Sequence, residues 1–526
     1  MSAFLSPEPK VELVNAFSRP YENAVATART CYSGSGIVRP EDVSGDGLSP
    51  ERQAARIEQR DRIAESTYAA GHHTTLQHAH YQFAISNVSR QCLWTFLHAH
   101  PFYNSEQVSQ RYVEVKPGLV AVPALSGEAL SIYQSAVERQ MADYRQLIAL
   151  LLPRCAERYY GLFPGRGKRR DPKWDSAVKK RAMEVARYVL PVATFAWLYH
   201  TVSGVTLLRY HRLCAQHDAP TETRLLVGKM VALMLAHDPL WEKLVEPTLA
   251  LEDTPEARFF AEPRPAPGRA FREEFDASLG GRTSRLVGRK PENEALLAAS
   301  VREVLGAARS ELSDDDAIAL ALDPARNQLL GESLNLTTLD KLTRALFHPS
   351  YTFRKRLSHT ADSQDQRHRM VPASRPTLRA YLGDEPDYVT PMLLQDDDPA
   401  QALYRESMER TWDAVARLGR LGVSDEDRAY LLPNAVSIRF TESSDLLNLH
   451  HKMASRLCYN AQEEIWQASL EEALAIREVE PRIGRWLLPP CGQRLAASLS
   501  PYCPEGDHYC GVRVWRLRPE EYVRTL

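Results

Sequence analysis

The chain has 526 residues, 44% of them hydrophobic and 25% charged, with a formal net charge of -2. This is the composition of a globular protein with room for two or three domains, and its near-neutral balance excludes a global attraction to nucleic acid or to an anionic membrane surface. No run of about 18 apolar residues is present, so no membrane span is expected. The polar N-terminal stretch carries no apolar signal core, which makes a cytoplasmic protein with eight reduced cysteines the expectation.

In chain order, residues 54–71 read as a helix. Residues 79–85 alternate, with Ala79, Tyr81, Phe83 and Ile85 on one face and His80 and Gln82 on the other, the pattern of a half-buried strand that leads into a helix near Ser89. Residues 127–152 read as a helix. A basic segment follows, Gly165 to Arg170 and Lys179-Lys180-Arg181, read as a solvated loop rather than a polyanion site because no aromatic stacking pattern accompanies it. Pro263, Pro265 and Pro267 alternate in the manner of an extended, stiff linker. Ser313 before Asp314-Asp315-Asp316 has the form of a helix N-cap with an acidic first turn. Residues 402–420 and 443–477 read as long helices. Mixed elements without βαβ alternation predict an α+β fold.

The chain also repeats itself. Arg19 to Arg29 is echoed by Arg289 to Arg302, with Glu22-Asn23 falling on Glu292-Asn293. The segment from Tyr133 matches that from Tyr404, and the one ending at Pro191 matches the one ending at Pro433. Ser109-Gln110-Arg111 aligns with Asp365-Gln366-Arg367. The order is preserved, which predicts two tandem copies, 1–250 and 285–526, joined by a Pro-rich linker over 251–284.

Chemistry-bearing residues collect in four places. Gly71-His72-His73-Thr74 leads to His78 just before the first strand. A polar loop holds Glu106, Gln107, Ser109, Gln110, Arg111 and Tyr112, soon after His98 and His100. Ala186-Arg187-Tyr188 precedes Pro191. In the second copy His451, Arg456 and Ala461-Gln462-Glu463-Glu464-Ile465 lie on one helical stretch. A hydroxyl, amides and a guanidinium suit a phosphate dianion. The tail adds Cys491, Cys503, His508 and Cys510, ligand types that suit tetrahedral zinc; packed free cysteines are the plainer reading, and no metal is assigned.

These motifs resemble the flavin-dependent thymidylate synthases, in two divergent tandem copies. That family carries Gly-His-x-Ser/Thr-x-x-Glu-His before the same strand, then Arg-His-Arg, two residues, Ser, one residue, Asn-Glu, one residue, Ser, one residue, Arg-Tyr. Here the tail of the signature stands at Ser109, Arg111 and Tyr112, and with one inserted residue its head becomes His98-Ala99-His100. The resemblance implies FAD bound through His78, His98, His100 and His451. It implies dUMP held by Gln107, Ser109, Gln110, Arg111, Arg187 and Gln462, with Arg456 polarising the uracil. NADPH and methylenetetrahydrofolate would be co-substrates and dTMP the product.

The two copies depart from the family in opposite places. Copy one has Cys214 where the family has its activating arginine, and Ser203 and Val205 where it has Asn-x-Arg. Copy two has Asp365 against Ser109, a lone anion at a phosphate position. The resemblance therefore implies one composite site drawn from both copies, in a homodimer that mimics a tetramer of single copies, with no nucleic acid or membrane as partner. The alternative is a non-catalytic nucleotide- or flavin-binding paralogue with an eroded site.

Overall fold

The computed structural model describes residues 2–98, 102–168, 171–214, 218–262, 268–332, 340–395 and 398–526, without the side chains of residues 98 and 398. Two four-stranded antiparallel sheets organise it. The first has the order β1-β2-β4-β3, with β1 at Lys10–Ala16, β2 at His80–Ser89, β3 at Tyr103–Gln107 and β4 at Phe195–Ser203. The second has the order β5-β6-β8-β7, with β5 at Ser284–Arg289, β6 at Ser350–Ser358, β7 at Ala373–Ser374 and β8 at Ser437–Asp445. The topology is the same, as expected of tandem copies of an α+β fold.

The alternation read over 79–85 is the buried face of β2. Ala79, Tyr81, Phe83 and Ile85 are all buried there, packed with residues of helix Pro220–His237 such as Leu226 and Met230 in one apolar cluster. β2 is one residue longer than β6 because it bulges between Ile85 and Val88. Asn87 takes a positive φ of 55° there, a conformation asparagine tolerates better than most residues.

Most expected elements form. Helices occupy Pro50–Ala69, Gly127–Leu162 and Asp398–Arg420, and Ser313 caps its helix by accepting from the Asp316 amide at 3.1 Å. The repeated tyrosines act alike. Tyr133 Oη donates to the Ala121 carbonyl at 2.7 Å and Tyr404 Oη to that of Val389 at 2.5 Å.

Two expectations change. Residues 443–477 are not one helix: they hold the end of β8, helix Leu446–Arg456 and helix Glu463–Val479. The second helix starts afresh because the Gln462 side chain caps it, accepting from the Ile465 amide at 3.2 Å. The basic segment is largely helical, at Pro164–Lys168 and Pro172–Ala186, since Asp171 caps the second helix and Arg166 lies 3.9 Å over Phe163 and 3.8 Å over Trp174; residues 169 and 170 lie outside the described ones. The stretch 251–284 carries helices at Pro255–Ala261 and Arg269–Leu279. Its alternating prolines 263, 265 and 267 lie outside the described residues.

The chain forms two compact units, each discontinuous in sequence. Unit 1 comprises Met1–Glu138, Pro191–Pro265 and Ala414–Leu432, and unit 2 comprises Arg139–Leu190, Ala266–Asp413 and Pro433–Leu526. Each sheet lies in one unit, and each unit includes one segment from the opposite repeat.

Candidate functional site

In unit 1 the loop after β3 is the candidate site. β3 pairs with β4 as far as Gln107 opposite Leu198, and Val108 extends the ladder by donating to the Trp197 carbonyl at 3.0 Å. The chain then turns. The Ser109 carbonyl accepts from the amides of Tyr112 at 3.2 Å and Val113 at 3.0 Å, and Ser109 Oγ accepts from the Arg111 amide at 3.2 Å. Gln110 is buried and donates to Thr194 Oγ1 at 3.0 Å, which makes it an anchor of the turn. The Arg111 guanidinium lies 5.5 Å over the Tyr112 ring. From below, Arg90 donates to Gln107 Oε1 at 3.1 Å and to the Val108 carbonyl at 2.6 Å. The turn thus presents a half-exposed hydroxyl beside a guanidinium on a braced backbone, a donor set suited to a phosphate oxygen.

His78 ends the 3₁₀ turn Thr75–His78, is exposed, and accepts at its carbonyl from Asn23 Nδ2 at 3.5 Å. His98 closes helix Arg90–His98, but its side chain and the whole of His100 lie outside the described residues. An open cleft that sequence reasoning missed runs between helices Pro20–Thr30 and Pro50–Ala69, lined by Arg29, Tyr32, Asp42, Arg56 and His72.

The strand registers relocate the equivalent loop in unit 2. Phe83 faces His200 and Phe353 faces Glu442, which equates His200 with Glu442. Ser105 pairs with His200 and Ala373 with Glu442. Farther on, Val120 bridges Thr194 and Tyr388 bridges Val436 with the same spacing. Ser109 and Arg111 therefore correspond to Thr377 and Arg379, and the loop of copy two keeps a hydroxyl, one residue and an arginine. The expected pairing of Ser109 with Asp365 is incorrect. Asp365 ends helix His359–Asp365, which directly follows β6, and its counterpart in unit 1 is Phe96.

Nor is Asp365 a lone anion. It is buried, with Lys452 Nζ at 2.7 Å and Lys355 Nζ at 3.3 Å. Burial opposes its charge, but the two lysines hold its carboxyl well below the usual carboxylate range.

Arg456, at the end of helix Leu446–Arg456, donates from Nε to His368 Nε2 at 2.8 Å and from Nη2 to the Gln364 carbonyl at 2.8 Å. Burial, and then the Arg456 charge, push the His368 imidazole well below its ordinary pKa, so it stays neutral and accepts from the guanidinium. The ring of His451 stands 6.2 Å from that of His368 and is itself exposed. The structure thus brings Arg456 and His451 together with a histidine that the sequence did not single out.

Arg187 is buried, with Nε donating to the Glu184 carbonyl at 3.1 Å and its own carbonyl accepting from Asn434 Nδ2 at 3.0 Å. Its neighbour Tyr188 donates to Glu464 Oε2 at 2.7 Å, and Gln462 Nε2 donates to Tyr188 Oη. Gln462 is fully buried with both polar ends engaged inside the protein, as a cap and a tyrosine partner.

Glu464 also binds the amide and hydroxyl of Ser358, the hydroxyl at 2.6 Å. Unit 1 repeats the device: Glu222 accepts from the Ser89 amide at 2.7 Å, the Ser89 hydroxyl and Tyr430 Oη at 2.7 Å. Burial raises both carboxyls against the pull of these donors. In each unit the tyrosine comes from the segment of the opposite repeat. Glu222 was missed, and Glu464 was read only as part of its motif with no role of its own, although the match of the segments ending at Pro191 and Pro433 was the signal that aligns their tyrosines.

The family described as "Thymidylate synthase complementing protein" matches the chain twice, over residues 12–240 and 285–482. Among relatives, a flavin-dependent thymidylate synthase of Geobacter sulfurreducens is 28% identical over 201 residues, covering 37% of this chain and 83% of its own. One of Clostridium tetani is 27% identical over 228 residues, covering 42% and 81%. Among solved structures, the UMP/dUMP methylase PolB of Streptomyces cacaoi bound with 5-Br dUMP is 18% identical with a TM-score of 0.30, covering 45% of this chain and 93% of its own.

Proposed function

Because the chain belongs to the thymidylate synthase complementing protein family, we propose that it methylates a uracil nucleotide, converting dUMP to dTMP with methylenetetrahydrofolate as carbon donor and NADPH-reduced FAD as hydride source. The observation that carries this reading is the hydroxyl-x-arginine turn found at the same strand register in both sheets, Ser109/Arg111 and Thr377/Arg379. A hydroxyl and a guanidinium on a fixed turn bind a phosphate dianion without any chemistry of their own.

The two units carry unequal sets. Unit 1 holds His78, Gln107, Ser109 and Arg111, but Ala429 stands where unit 2 has Arg187, and Cys214 where it has Arg456. Unit 2 holds Arg187, Thr377, Arg379, His451 and Arg456. The reading gives phosphate binding to the two turns and activation of the uracil to Arg456, whose positive charge beside a carbonyl oxygen would stabilise charge developing there. The exposed His78 and His451, with His98 and His100, would contact the flavin, which supplies the hydride when bound. His368 holds Arg456 in place as a neutral acceptor.

The test is direct. Purified protein should carry or take up FAD, and dUMP with methylenetetrahydrofolate should reoxidise the NADPH-reduced flavin. Arg456→Ala should lower that rate by about 100-fold or more while leaving the flavin bound. A colourless protein that takes up no FAD would overturn the proposal. Protein that binds FAD and dUMP without turnover would identify a non-catalytic paralogue instead.

A further inference from the structure

We propose that Cys458, Cys491, Cys503 and Cys510 form a tetrathiolate site for a soft divalent ion, zinc by chemical class, that fixes the carboxyl-terminal tail to the body of unit 2. All four side chains line one cavity, whose other walls include Tyr459, Pro489, Pro490, Val514 and Trp515. They arrive from separate pieces of chain. Cys458 follows helix Leu446–Arg456, Cys491 lies in helix Pro490–Ala496, and Cys503 and Cys510 flank the turn Gly506–His508. His508, the nitrogen donor that the sequence suggested, does not line the cavity; it is exposed, and its carbonyl accepts from Asn460 Nδ2 at 2.6 Å.

Free cysteines that merely pack behave as small hydrophobes and need no common meeting point. Here four of the chain's eight cysteines, brought from separate pieces of chain, line one cavity, the number and donor type of a tetrahedral thiolate site. The Cys510 thiol has only a weak polar partner, donating to the Val512 carbonyl at 3.5 Å.

The local backbone fits this role. Gly511 follows Cys510 with a φ of 89°, and Gly506 stands between Cys503 and Cys510 with a φ of 55°. A Cβ at Gly511 would stand 2.9 Å from the Phe163 ring, so that bend is fixed by space as well as conformation. The tail beyond residue 485 has no strand, one seven-residue helix and three 3₁₀ turns. It has few ladder hydrogen bonds to hold it, the situation in which a metal crosslink contributes most.

As placed, no three His, Cys, Asp or Glu side chains among the described residues stand at ligand spacing. The proposal therefore requires the thiols to close inward to about 2.3 Å from the ion. Each ligating thiol releases its proton to solvent as its sulfur–metal bond forms.

The experiment uses the full chain. Zinc content after exhaustive dialysis should be about one ion per chain, and cobalt(II) should give the visible bands of tetrahedral thiolate coordination. Cys458→Ser and Cys510→Ser should each weaken the retained metal by about 10-fold or more, while His508→Ala and Cys31→Ser leave it unchanged. Iodoacetamide should spare the four cysteines until a chelator is added. Zinc below about a tenth of an ion per chain together with no cobalt spectrum would overturn the site; so would disulfides among the four, or loss of metal in His508→Ala. Should the serine variants fail to fold, the cobalt titration of the unaltered chain decides.

Discussion

The two sheets fill the same five places with opposite chemistry. Beneath the first sheet stand Ile85, Phe96, His200, Tyr210 and Met230, with Phe96 ring centroids 4.9 Å from His200 and 4.8 Å from Tyr210. At the equivalent positions the second sheet has Lys355, Asp365, Glu442, Lys452 and Glu472, each almost wholly buried. Lys355 Nζ lies 2.7 Å from both Glu442 and Glu472, Lys452 lies 2.7 Å from Asp365, and Lys452 also pairs with Glu442. This backbone does not dictate an apolar heart. It accepts a closed ion network, provided each charge meets an opposite one, because isolated charge at such depth costs several kcal/mol.

The largest effect is expected at Lys355. Lys355→Met leaves Asp365, Glu442 and Glu472 around Lys452 alone, and should destabilise unit 2 by about 3–5 kcal/mol. The matching Ile85→Met conserves volume in an apolar setting and should cost unit 1 less than about 1.5 kcal/mol. Denaturant unfolding followed by hydrogen exchange, which reports the units separately, would measure both. Equal effects would mean that the ion network carries no special weight.

A transplant sharpens the contrast. Lys355→Ile, Asp365→Phe, Glu442→His, Lys452→Tyr and Glu472→Met together place the set of unit 1 in unit 2. Replacing a buried network by packed apolar groups is often neutral or stabilising by about 1–4 kcal/mol. The same unfolding experiment should show no loss. A collapse of unit 2 would show that its surroundings, among them Arg375 held bidentate by Asp362, have adapted to charge.

Much of this was legible in the sequence, and what was not has physical reasons. Period-two alternation placed β2, and serine before three aspartates placed a helix start, because both signals are local. Tandem duplication showed through in Tyr133 and Tyr404, which make the same hydrogen bond. The pairing of Ser109 with Asp365 failed because a shared Gln-Arg outweighed strand register, and register is fixed by partners far along the chain. The continuous helix over 443–477 failed because two caps divide it, Asp445 before Leu446–Arg456 and Gln462 before Glu463–Val479, with the weak helix formers Cys458, Tyr459 and Asn460 between the helices. The exchange that brings Tyr188 to Glu464 and Tyr430 to Glu222 leaves no local trace. Of the candidate site, Ser109, Arg111 and Arg456 were readable from motif spacing; Thr377, Arg379 and His368 needed the fold.

The smallest predicted effect tests how the network carries its charge. Three acids face two lysines, and burial, then Asp365, push the Glu442 carboxyl up to about 7. An unfolded glutamate titrates near about 4.3. Between those values the folded chain holds a proton that the unfolded chain has lost, so this group's contribution to stability falls as pH rises from about 4.3 to about 7. Asp365 has the opposite sign, since its lowered pKa stabilises the fold above the ordinary aspartate range and the gain is lost only as pH falls well below it. Glu442→Gln keeps the shape and the neutral state but cannot titrate. It should change stability by less than about 1 kcal/mol at pH 5 and remove a slope of up to about 1.4 kcal/mol per pH unit between pH 5 and 7. Glu426 and Glu463, also pushed to about 7 by burial, remain as a common background in both proteins. Unfolding free energies at pH 5, 6, 7 and 8 for the two proteins measure the difference, and an unchanged slope would assign the proton to another member of the network.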